Sequence, residues 1–362
     1  MARADAARRP APPTSLREVT TGWPEWTDPV PVARLREAVR TKPSHAYLVS
    51  GPKGIGKAAI ARAFAQALCC LRPDPGDPSL PCGQCRSCLT LMRGGHPDVV
   101  VMDIASQAVL AEKPSRATTL NIDSIRRLRS EATLLPVAGD RRVFIIDDAE
   151  TMQEPAQQAM LKILEEPPQS VTLILVSDEI ESLLPTVRSR CQEIAVRLLP
   201  QHAIATVLTR RGISPPIANE IAALSMGRPG WALAAAADPA MLQARRDEWR
   251  DAITWISASP YDRLVTAFRL GEQFGKRPSM VFGMLGTVAA AFRQAMLSAA
   301  GKDCRFDVSE LSGPLVEMKG TPLAFGQAIE ATMRCLTDLE ANVRPRLALE
   351  AMVLAWPNPG SA

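Results

Sequence analysis

Residues 45–70, HAYLVSGPKGIGKAAIARAFAQALCC, decide the fold of this chain. The segment opens with a short apolar run, Ala46–Ser50, whose length is typical of a buried strand. A glycine-rich loop follows at 51–57, and apolar residues then recur at helical spacing from Ile60 to Leu68. The segment therefore predicts a strand, a loop and a helix in that order.

A strand, a glycine-rich loop and a helix in this order form the phosphate-binding motif of many proteins. The glycines Gly51, Gly54 and Gly56 allow a tight turn that points successive backbone N–H groups at an anion. The start of the following helix adds partial positive charge, and Lys57 lies where an ammonium group reaches the β- and γ-phosphates. The loop is a candidate site for ATP or ADP; the alternative is an ordinary glycine turn before a helix.

The residue after the lysine departs from the phosphate-loop pattern. The pattern G-x-x-x-x-G-K-[ST] ends in a hydroxyl residue that ligates Mg²⁺. Ala58 stands at that position and has no oxygen to offer. The loop could still hold phosphates, but Mg²⁺ would lack one protein ligand. We therefore expect ATP hydrolysis by this chain to be weak or absent.

Strand and helix patterns alternate up to about residue 198. Further strands are predicted at 98–103, 142–147, 172–177 and 193–196, and helices at 32–41, 122–133 and 151–166. The polar residues 104–121 are predicted to form a loop, and Thr151-x-x-Glu154 is predicted to cap its helix as a capping box. Alternation of this kind gives right-handed βαβ units, so we predict a five-stranded parallel α/β domain over 20–198.

Strand patterns end at Pro200. We predict a three-helix lid over 199–240 and about four or five further helices, forming an all-α domain, over 241–357. Residues 1–19 are rich in Ala, Arg and Pro and are predicted to be a disordered tail.

The composition is that of an ordinary globular protein with 362 residues, of which 46% are hydrophobic and 22% charged. The net charge of +4 is too small to indicate nucleic-acid binding by itself. The N-terminus has arginines but no apolar segment of a signal peptide, and no uninterrupted apolar run reaches the roughly 18 residues of a membrane span. We expect a cytoplasmic protein without membrane contact.

Five of the eight cysteines lie between positions 69 and 88. In a reducing compartment such a cluster favours a metal site over disulfides. Cys70, Cys82, Cys85 and Cys88 could bind a structural Zn²⁺ with four thiolates, leaving no open position for catalysis. Cys69 competes with Cys70 as the first ligand, and unligated buried cysteines are the alternative. The predicted zinc module covers about 69–95.

Two further patterns carry chemistry. Asp147 and Asp148 follow a buried strand at the edge where α/β sheets bind ligands, so the first could hold Mg²⁺ and the second could polarise a water. Glutamate is more usual than Asp148 at the second position, and two solvated acids are the alternative. Arg188 and Arg190 could be ordinary solvated charges. The functional alternative is an arginine finger supplied to a neighbouring subunit.

Taken in order, these motifs resemble the clamp-loader branch of the AAA+ ATPases, and within it the delta-prime family of bacterial DNA polymerase III subunits. The matching segments lie mainly within residues 40–240, with a weaker likeness over 339–350. They are His45-Ala-Tyr-Leu-Val-Ser-Gly51, the cysteine cluster, Gly95-His-Pro-Asp98, Leu161-Lys-Ile-Leu-Glu-Glu-Pro-Pro168, Thr186-Val-Arg-Ser-Arg-Cys191 and Ser225-Met-Gly-Arg-Pro-Gly230.

The resemblance implies an AAA+ P-loop NTPase-like, RecA-like domain, a helical lid and a C-terminal collar that mediates oligomerisation. It implies that Arg190 is the trans-acting arginine finger, that Arg228 is the sensor-2 arginine of the lid and that Ser177 falls at sensor 1. The implied partners are gamma/tau and delta clamp-loader subunits, the sliding clamp and, through the complex, primed DNA. The eleven residues between Cys70 and Cys82 are a longer spacing than the family usually has.

Two functions from different classes remain at this point. The first is a delta-prime assembly subunit that helps load the sliding clamp during DNA replication and completes a neighbour's ATPase site. The second is an active ATP-hydrolysing motor of the gamma/tau type. Ala58 and Asp148 both favour the first. A zinc-stabilised interaction protein without nucleotide is a third reading, which leaves most of the motifs unused.

Overall fold

The computed structural model of the protein describes residues 22–110, 118–302 and 308–357. They form two compact units. The first contains residues 22–199, apart from 111–117, together with 228–230, and the second contains 200–227 and 231–357 apart from 303–307. The tail predicted at 1–19 lies outside the described residues.

The first unit alternates helices and strands. Its helices are α1 (Pro29–Arg40), α2 (Lys57–Leu68), α3 (Arg86–Met92), α4 (Ile104–Leu110), α5 (Ile122–Ala132), α6 (Glu154–Glu165) and α7 (Pro185–Arg188). Its strands are β1 (Ala46–Ser50), β2 (Val99–Met102), β3 (Arg142–Ile146), β4 (Val171–Ser177) and β5 (Gln192–Ala195). Each strand overlaps the strand predicted from the sequence.

The five strands form one parallel sheet in the order β2-β3-β4-β1-β5. β1 pairs with β4 on one side and β5 on the other, in the registers Leu48 with Leu175 and Leu48 with Glu193. The carboxyl ends of β3, β4 and β1 therefore lie side by side. Loops that leave such ends form the usual ligand-binding edge of an open α/β sheet.

Both faces of the sheet are buried, because successive strand residues point to opposite sides. One face packs under α5 and α6 and the other under α1 and α2. The first face contains Leu48, Phe144, Ile146, Leu173 and Leu175, and the second contains Tyr47, Val49, Val143, Ile145, Ile174 and Val176. Helices on both sides are what makes an all-parallel sheet stable.

Two local predictions were wrong. The predicted loop at 104–121 begins with helix α4, because Asp103 and Ser106 cap its start reciprocally; each accepts the other's backbone N–H, at 2.8 and 2.6 Å. Residues 111–117 of that prediction lie outside the described residues. The capping box at Thr151 does not form, since Thr151 lies in a short 3₁₀ turn and donates its hydroxyl to Asp148 O. α6 starts at Glu154, after Gln153.

The second unit contains helices only among its described residues. They are α8 (Gln201–Arg210), α9 (Pro215–Leu224), α10 (Pro229–Ala237), whose first two residues group with the first unit, α11 (Pro239–Ser257), α12 (Pro260–Phe274), α13 (Pro278–Ala299), α14 (Ser309–Val316), α15 (Pro322–Glu340) and α16 (Pro345–Leu354). Three helices fall within 199–240 as predicted, while 241–357 holds six described helices where four or five were expected. The predicted division into lid and collar stays a prediction.

Helix α13 is long and apolar enough, by length and composition alone, to pass for a membrane span. In the structure it packs against α11 and α15 of the same unit. Its Val281, Leu285, Val288 and Phe292 are completely buried there. These contacts are those of a core helix in a helical domain. The fold class is thus a five-stranded parallel α/β sheet followed, in the described residues, by helices alone.

Candidate nucleotide and metal sites

The glycine-rich loop leaves the carboxyl end of β1 in the conformation that a phosphate loop needs. Gly51, Gly54 and Gly56 all have positive φ, at 138°, 81° and 99°. A Cβ atom on Gly51 would lie 2.4 Å from Val196 O, and one on Gly56 would lie 2.6 Å from the Thr27 side chain. Larger residues are therefore excluded at both positions by conformation and by space.

Helix α2 begins directly after this loop. Gly56 is its N-cap residue and offers no side-chain cap, so the first N–H groups of the helix face the loop. Lys57 is the first helical residue, and Ala58 is the second. The position that carries a hydroxyl in the phosphate-loop pattern therefore holds a methyl group at the start of the helix.

The ammonium group of Lys57 is already paired. Its side chain is only 5% exposed, and Nζ lies 2.5 Å from Asp178 Oδ1 and 3.0 Å from Pro52 O. Asp178 is the first residue after β4, the strand that lies next to β1. An internal carboxylate thus lies where a phosphate-loop lysine would meet phosphate oxygens.

Asp147 and Asp148 lie at the carboxyl end of β3, at the same edge of the sheet. Burial, reinforced by the nearby Asp148 carboxylate, raises the pKa of Asp147 to about 6. Arg62 of α2 partly offsets this, because its positive charge favours ionised Asp147. Burial, followed by repulsion from Asp178, also raises the pKa of Asp148. The edge holds several carboxylates that repel one another.

Ser177, the residue aligned with sensor 1, does not point its hydroxyl at Lys57. Ser177 Oγ donates to Glu179 O at 2.9 Å and so closes the turn after β4. The neighbouring backbone N–H of Asp178 donates to Glu150 Oε2 at 3.1 Å. The side chain that faces the phosphate loop from β4 is Asp178.

The segment of the predicted sensor-2 arginine lies against the phosphate loop. Arg228 and Gly230 group with the first unit, and Gly230 N donates to Gly54 O at 2.9 Å. A Cβ atom on Gly230 would lie 2.8 Å from that same oxygen. Arg228 is thereby placed near the loop by its backbone.

Arg190 lies just beyond α7, away from the phosphate loop in sequence. Its guanidinium donates to Thr186 O at 2.9 Å and forms an ion pair with Glu165 Oε1 at 2.8 Å. About a third of the Arg190 side chain remains exposed. The nearby Arg188 pairs with Glu181 at 2.7 Å instead. Of these two arginines, Arg190 is the one that contacts the motif at residues 161–168, through Glu165.

The structure brings four cysteine thiols together. The sulfurs of Cys70, Cys82, Cys85 and Cys88 all lie within 4.8 Å of one another, and Cys70 and Cys82 are 3.7 Å apart. Four thiolates around one Zn²⁺ at about 2.3 Å would lie about 3.8 Å apart, so this arrangement fits a single tetrahedral ion. The four cysteines could therefore hold one metal ion.

Cys69 is turned away from this cluster. Its thiol faces Arg141 O at 3.9 Å, and burial raises its pKa to about 12. Within the cluster, burial opposes ionisation of Cys85, but hydrogen bonds from the backbone N–H groups of Cys88 and Leu71 and from the Cys88 and Cys82 side chains together outweigh it and lower the pKa to about 6. The geometry thus favours Cys70 over Cys69 as the first ligand.

A buried hydrogen-bond chain ties this cysteine module to the sheet. His96 Nδ1 accepts the Asp98 N–H at 3.0 Å, which leaves Nε2 to donate to Ser87 Oγ at 2.8 Å. Ser87 Oγ in turn donates to Cys69 O at 2.6 Å. The Asp98 carboxylate accepts the N–H groups of Val137 and Ala138 at 2.7 and 2.6 Å. The Gly95-His-Pro-Asp98 motif therefore has a structural use.

Comparison with known proteins identifies the region that carries these sites. Residues 29–200 match the family model described as DNA polymerase III, delta subunit. This stretch, just under half of the chain, is similar to the DNA polymerase III clamp-loader proteins. The match covers the whole sheet and the phosphate loop, the cysteine module and Arg190.

Curated clamp-loader relatives carry two different subunit names. A DNA polymerase III subunit gamma/tau from Mycobacterium tuberculosis is 38% identical over 200 residues, which are 55% of this chain and 31% of the relative. A DNA polymerase III subunit delta' from Pseudomonas aeruginosa is 38% identical over 192 residues, which are 52% of this chain and 55% of the relative. This chain thus spans only about a third to a half of these relatives.

Solved structures give a looser likeness. A gamma subunit-related DNA polymerase III protein from Thermotoga maritima superposes with a TM-score of 0.39 at 16% identity, covering 89% of this chain and 97% of that one. A likeness of this size carries no argument about this chain.

Two residues of the first unit that contact predicted site residues are not indicated by the sequence motifs. The motif resemblance points to Ser177, whereas the residue that contacts Lys57 is Asp178, which directly follows the strand beside β1. Glu165 was quoted only as part of a motif, although it is the partner of Arg190. The strand order could have pointed to Asp178, because parallel strand ends meet at one edge. No local pattern indicates the Glu165 contact.

Proposed function

We propose that this chain acts as a delta-prime subunit of the DNA polymerase III clamp loader. It helps load the sliding clamp onto primed DNA during replication and supplies Arg190 to the ATPase site of a neighbouring gamma/tau subunit. The observation that carries the proposal is Ala58, which occupies the Mg²⁺-ligand position of an otherwise complete phosphate loop.

Ala58 weakens hydrolysis in this chain for a physical reason. Phosphoryl transfer depends on positioning the phosphates and neutralising their charge more than on any covalent step of the protein. Asp147 is the residue that would face Mg²⁺, and Ala58 offers no second oxygen beside it. The loop, Asp148 and Arg228 could still contact a bound ATP or ADP.

Arg190 has the properties of a finger that acts in trans. The guanidinium is partly exposed and oriented by two contacts in its own chain, Thr186 O and Glu165. An arginine presented in this way can stabilise the negative charge that develops on a neighbour's γ-phosphate. Its own phosphate loop does not need Arg190 for this role.

The four-cysteine cluster is proposed to hold a structural Zn²⁺. A Cys₄ site is closed, so the ion would stabilise the loop between α2 and α3 without taking part in catalysis. Such a loop has few apolar residues to fold alone, and metal binding supplies the missing free energy.

The proposed partners are those of the clamp-loader assembly. They are gamma/tau and delta subunits, the sliding clamp and primed DNA held by the whole complex, in the cytoplasm and away from membranes. The helices over 241–357 are the proposed collar through which the subunits associate, and those over 199–240 the proposed lid.

An active motor of the gamma/tau type is the second candidate. It is favoured by one observation, the 38% identity to a gamma/tau subunit over 200 residues. Ala58 and Asp148 oppose it, because both depart from the residues that hold Mg²⁺ and activate water. The two candidates predict opposite effects of the same two substitutions.

The test is the steady-state ATPase of the reconstituted loader, with and without clamp and primed DNA. Under the delta-prime proposal Lys57→Ala leaves the rate almost unchanged, whereas Arg190→Ala removes the contribution of the neighbouring site. An arginine finger contributes roughly 10³–10⁵-fold to the site it completes, so that site becomes silent. Turnover abolished by Lys57→Ala and unaffected by Arg190→Ala would assign the motor role instead.

A further inference from the structure

Lys57 and Asp178 are 121 positions apart in sequence, yet their side chains form an ion pair. The lysine ammonium is almost fully buried and has two partners among the described residues, Asp178 Oδ1 at 2.5 Å and Pro52 O at 3.0 Å. A buried ammonium needs such partners, because an unpaired charge away from water is costly. The pair therefore satisfies Lys57 without any phosphate.

A bound nucleotide would have to replace this arrangement. The lysine of a phosphate loop donates to β- and γ-phosphate oxygens, and here the same donor atom is taken by a carboxylate. Phosphates entering the loop would either displace Asp178 from Lys57 or lie beside its negative charge. Both alternatives weaken nucleotide binding relative to a loop with a neutral residue at this position.

The backbone and the neighbouring charges keep Asp178 in place. Its N–H donates to Glu150 Oε2 at 3.1 Å, so the start of the loop after β4 is fixed. Asp148 lies close enough to repel the Asp178 carboxylate, and Lys57 is the cation that compensates. The Asp178 carboxylate is two-thirds buried, which strengthens its attraction to Lys57.

We propose that Asp178 is a selectivity residue that occupies Lys57 in place of phosphate and so disfavours nucleotides carrying β- and γ-phosphates. This inference rests on the proposed function, in which the chain is a fixed subunit beside an active ATPase, and it adds a physical cause independent of Ala58.

The experiment measures equilibrium binding of ATP, ADP and AMP to the purified full chain by isothermal titration calorimetry, with and without Mg²⁺. Asp178→Asn removes the charge at almost constant size, and Asp178→Ser removes it with a smaller side chain. We expect both variants to bind ATP and ADP at least about 10-fold more tightly than the parent chain. AMP binding is expected to stay unchanged, because AMP lacks the phosphates that Lys57 would contact.

Two controls separate this mechanism from a general charge effect. Glu179→Gln makes the same charge change one residue further on, where the side chain is exposed, and should leave ATP affinity unchanged. Combining Asp178→Asn with Lys57→Ala should remove the gain, because the gain depends on the released ammonium.

The proposal is overturned if neither Asp178 variant binds ATP more tightly, if AMP gains as much as ATP, or if the gain survives loss of Lys57. None of these outcomes involves Arg190 or a partner subunit. The nucleotide measurement can therefore fail while the ATPase test of the delta-prime proposal succeeds, and the reverse also holds.

Discussion

Arg190 and Glu165 form an ion pair within the chain, with Nη2 lying 2.8 Å from Oε1. The pair links Arg190, two residues beyond the end of α7, to the last residue of α6, and Thr186 O accepts a hydrogen bond from the guanidinium at 2.9 Å. Both side chains are more than a third exposed. The contact therefore orients Arg190 while leaving it accessible to a neighbouring molecule.

We expect Arg190→Ala and Glu165→Gln each to change the free energy of unfolding of the isolated chain by less than about 1 kcal/mol, because exposed ion pairs contribute little to stability. Urea unfolding at pH 7.5 measures this. The result matters for the ATPase test, because it separates loss of a finger from loss of fold. Destabilisation well above 2 kcal/mol would show that Arg190 has mainly a structural role.

The metal site predicts a stoichiometric result. The purified chain should contain about one equivalent of zinc by elemental analysis, and a Cys85→Ser, Cys88→Ser variant should contain none, since the ion needs four thiolates. Cys69→Ser is the matched control, because its thiol faces Arg141 O instead of the cluster. Zinc loss in the control, or its absence from the parent chain, would contradict the assignment.

Removing the metal should loosen the module locally. A chelator added under reducing conditions is expected to lower the melting temperature and to make the loop between α2 and α3 sensitive to protease, because ligand binding and folding of such loops are coupled. Peptide mapping would locate the first cuts. Cuts elsewhere, with this loop still resistant, would mean that the cysteines do not depend on a metal.

His96 should make stability depend on pH. Burial lowers its pKa, so below the ordinary value of about 6.5 the unfolded chain binds the proton more readily than the native one. The contribution of His96 to the free energy of unfolding is therefore complete above pH 6.5. It is lost as the pH falls through the lower pKa that His96 has in the folded chain. His96→Asn should cost roughly 1–3 kcal/mol at pH 7.5, because the Ser87 hydrogen bond is lost.

His96→Asn should lower the free energy of unfolding by less at pH 5.5 than at pH 7.5, because His96 of the unchanged chain no longer contributes fully at the lower pH. Urea unfolding of both chains at the two pH values gives the difference, in which the other titrating groups cancel. A cost that is equal at both values would mean that His96 does not titrate with folding.

Arg263 should be critical for the helical unit. It is 3% exposed, donates to Pro357 O at 2.7 Å and to Ile256 O, and lies over the Trp356 ring. Arg263→Met keeps much of the apolar stem but leaves two carbonyls without donors, so we expect a loss of about 2–4 kcal/mol. Arg269→Met, at an exposed position of the same helix, is the control and should change stability by less than about 0.5 kcal/mol.

Calorimetry of the full chain can follow both variants, since the two units are compact by themselves and can unfold in separate transitions. We expect Arg263→Met to lower the temperature of one transition and leave the other in place. Equal melting curves for the Arg263 and Arg269 variants would show that the buried guanidinium contributes no specific stability.

Local sequence pattern was sufficient to predict the five strands and the helices α1, α2, α5 and α6. Short apolar runs such as Ala46–Ser50 must be buried on both faces, and only a sheet covered by helices on both sides allows this. The glycines of the phosphate loop were equally predictable, because Gly51 and Gly56 take φ values that other residues rarely adopt. These properties depend on near neighbours in the chain.

Contacts between distant residues depended on the tertiary structure. The choice of Cys70 over Cys69 follows from the direction in which α2 ends, since adjacent residues leave a helix end on different sides. Helix α4 forms inside a polar segment because Asp103 and Ser106 cap its start. The polar composition of the segment does not indicate this cap.

The pairing of Lys57 with Asp178 shows the limit most clearly. Residue types and spacing placed Lys57 in a phosphate loop, but its partner was decided by the strand order, which sets β4 beside β1. Periodicity reports which face of an element is buried, whereas the neighbour that a charge meets depends on how the elements are arranged in space. The sequence by itself therefore determined the loop, and the tertiary structure determined which group Lys57 holds.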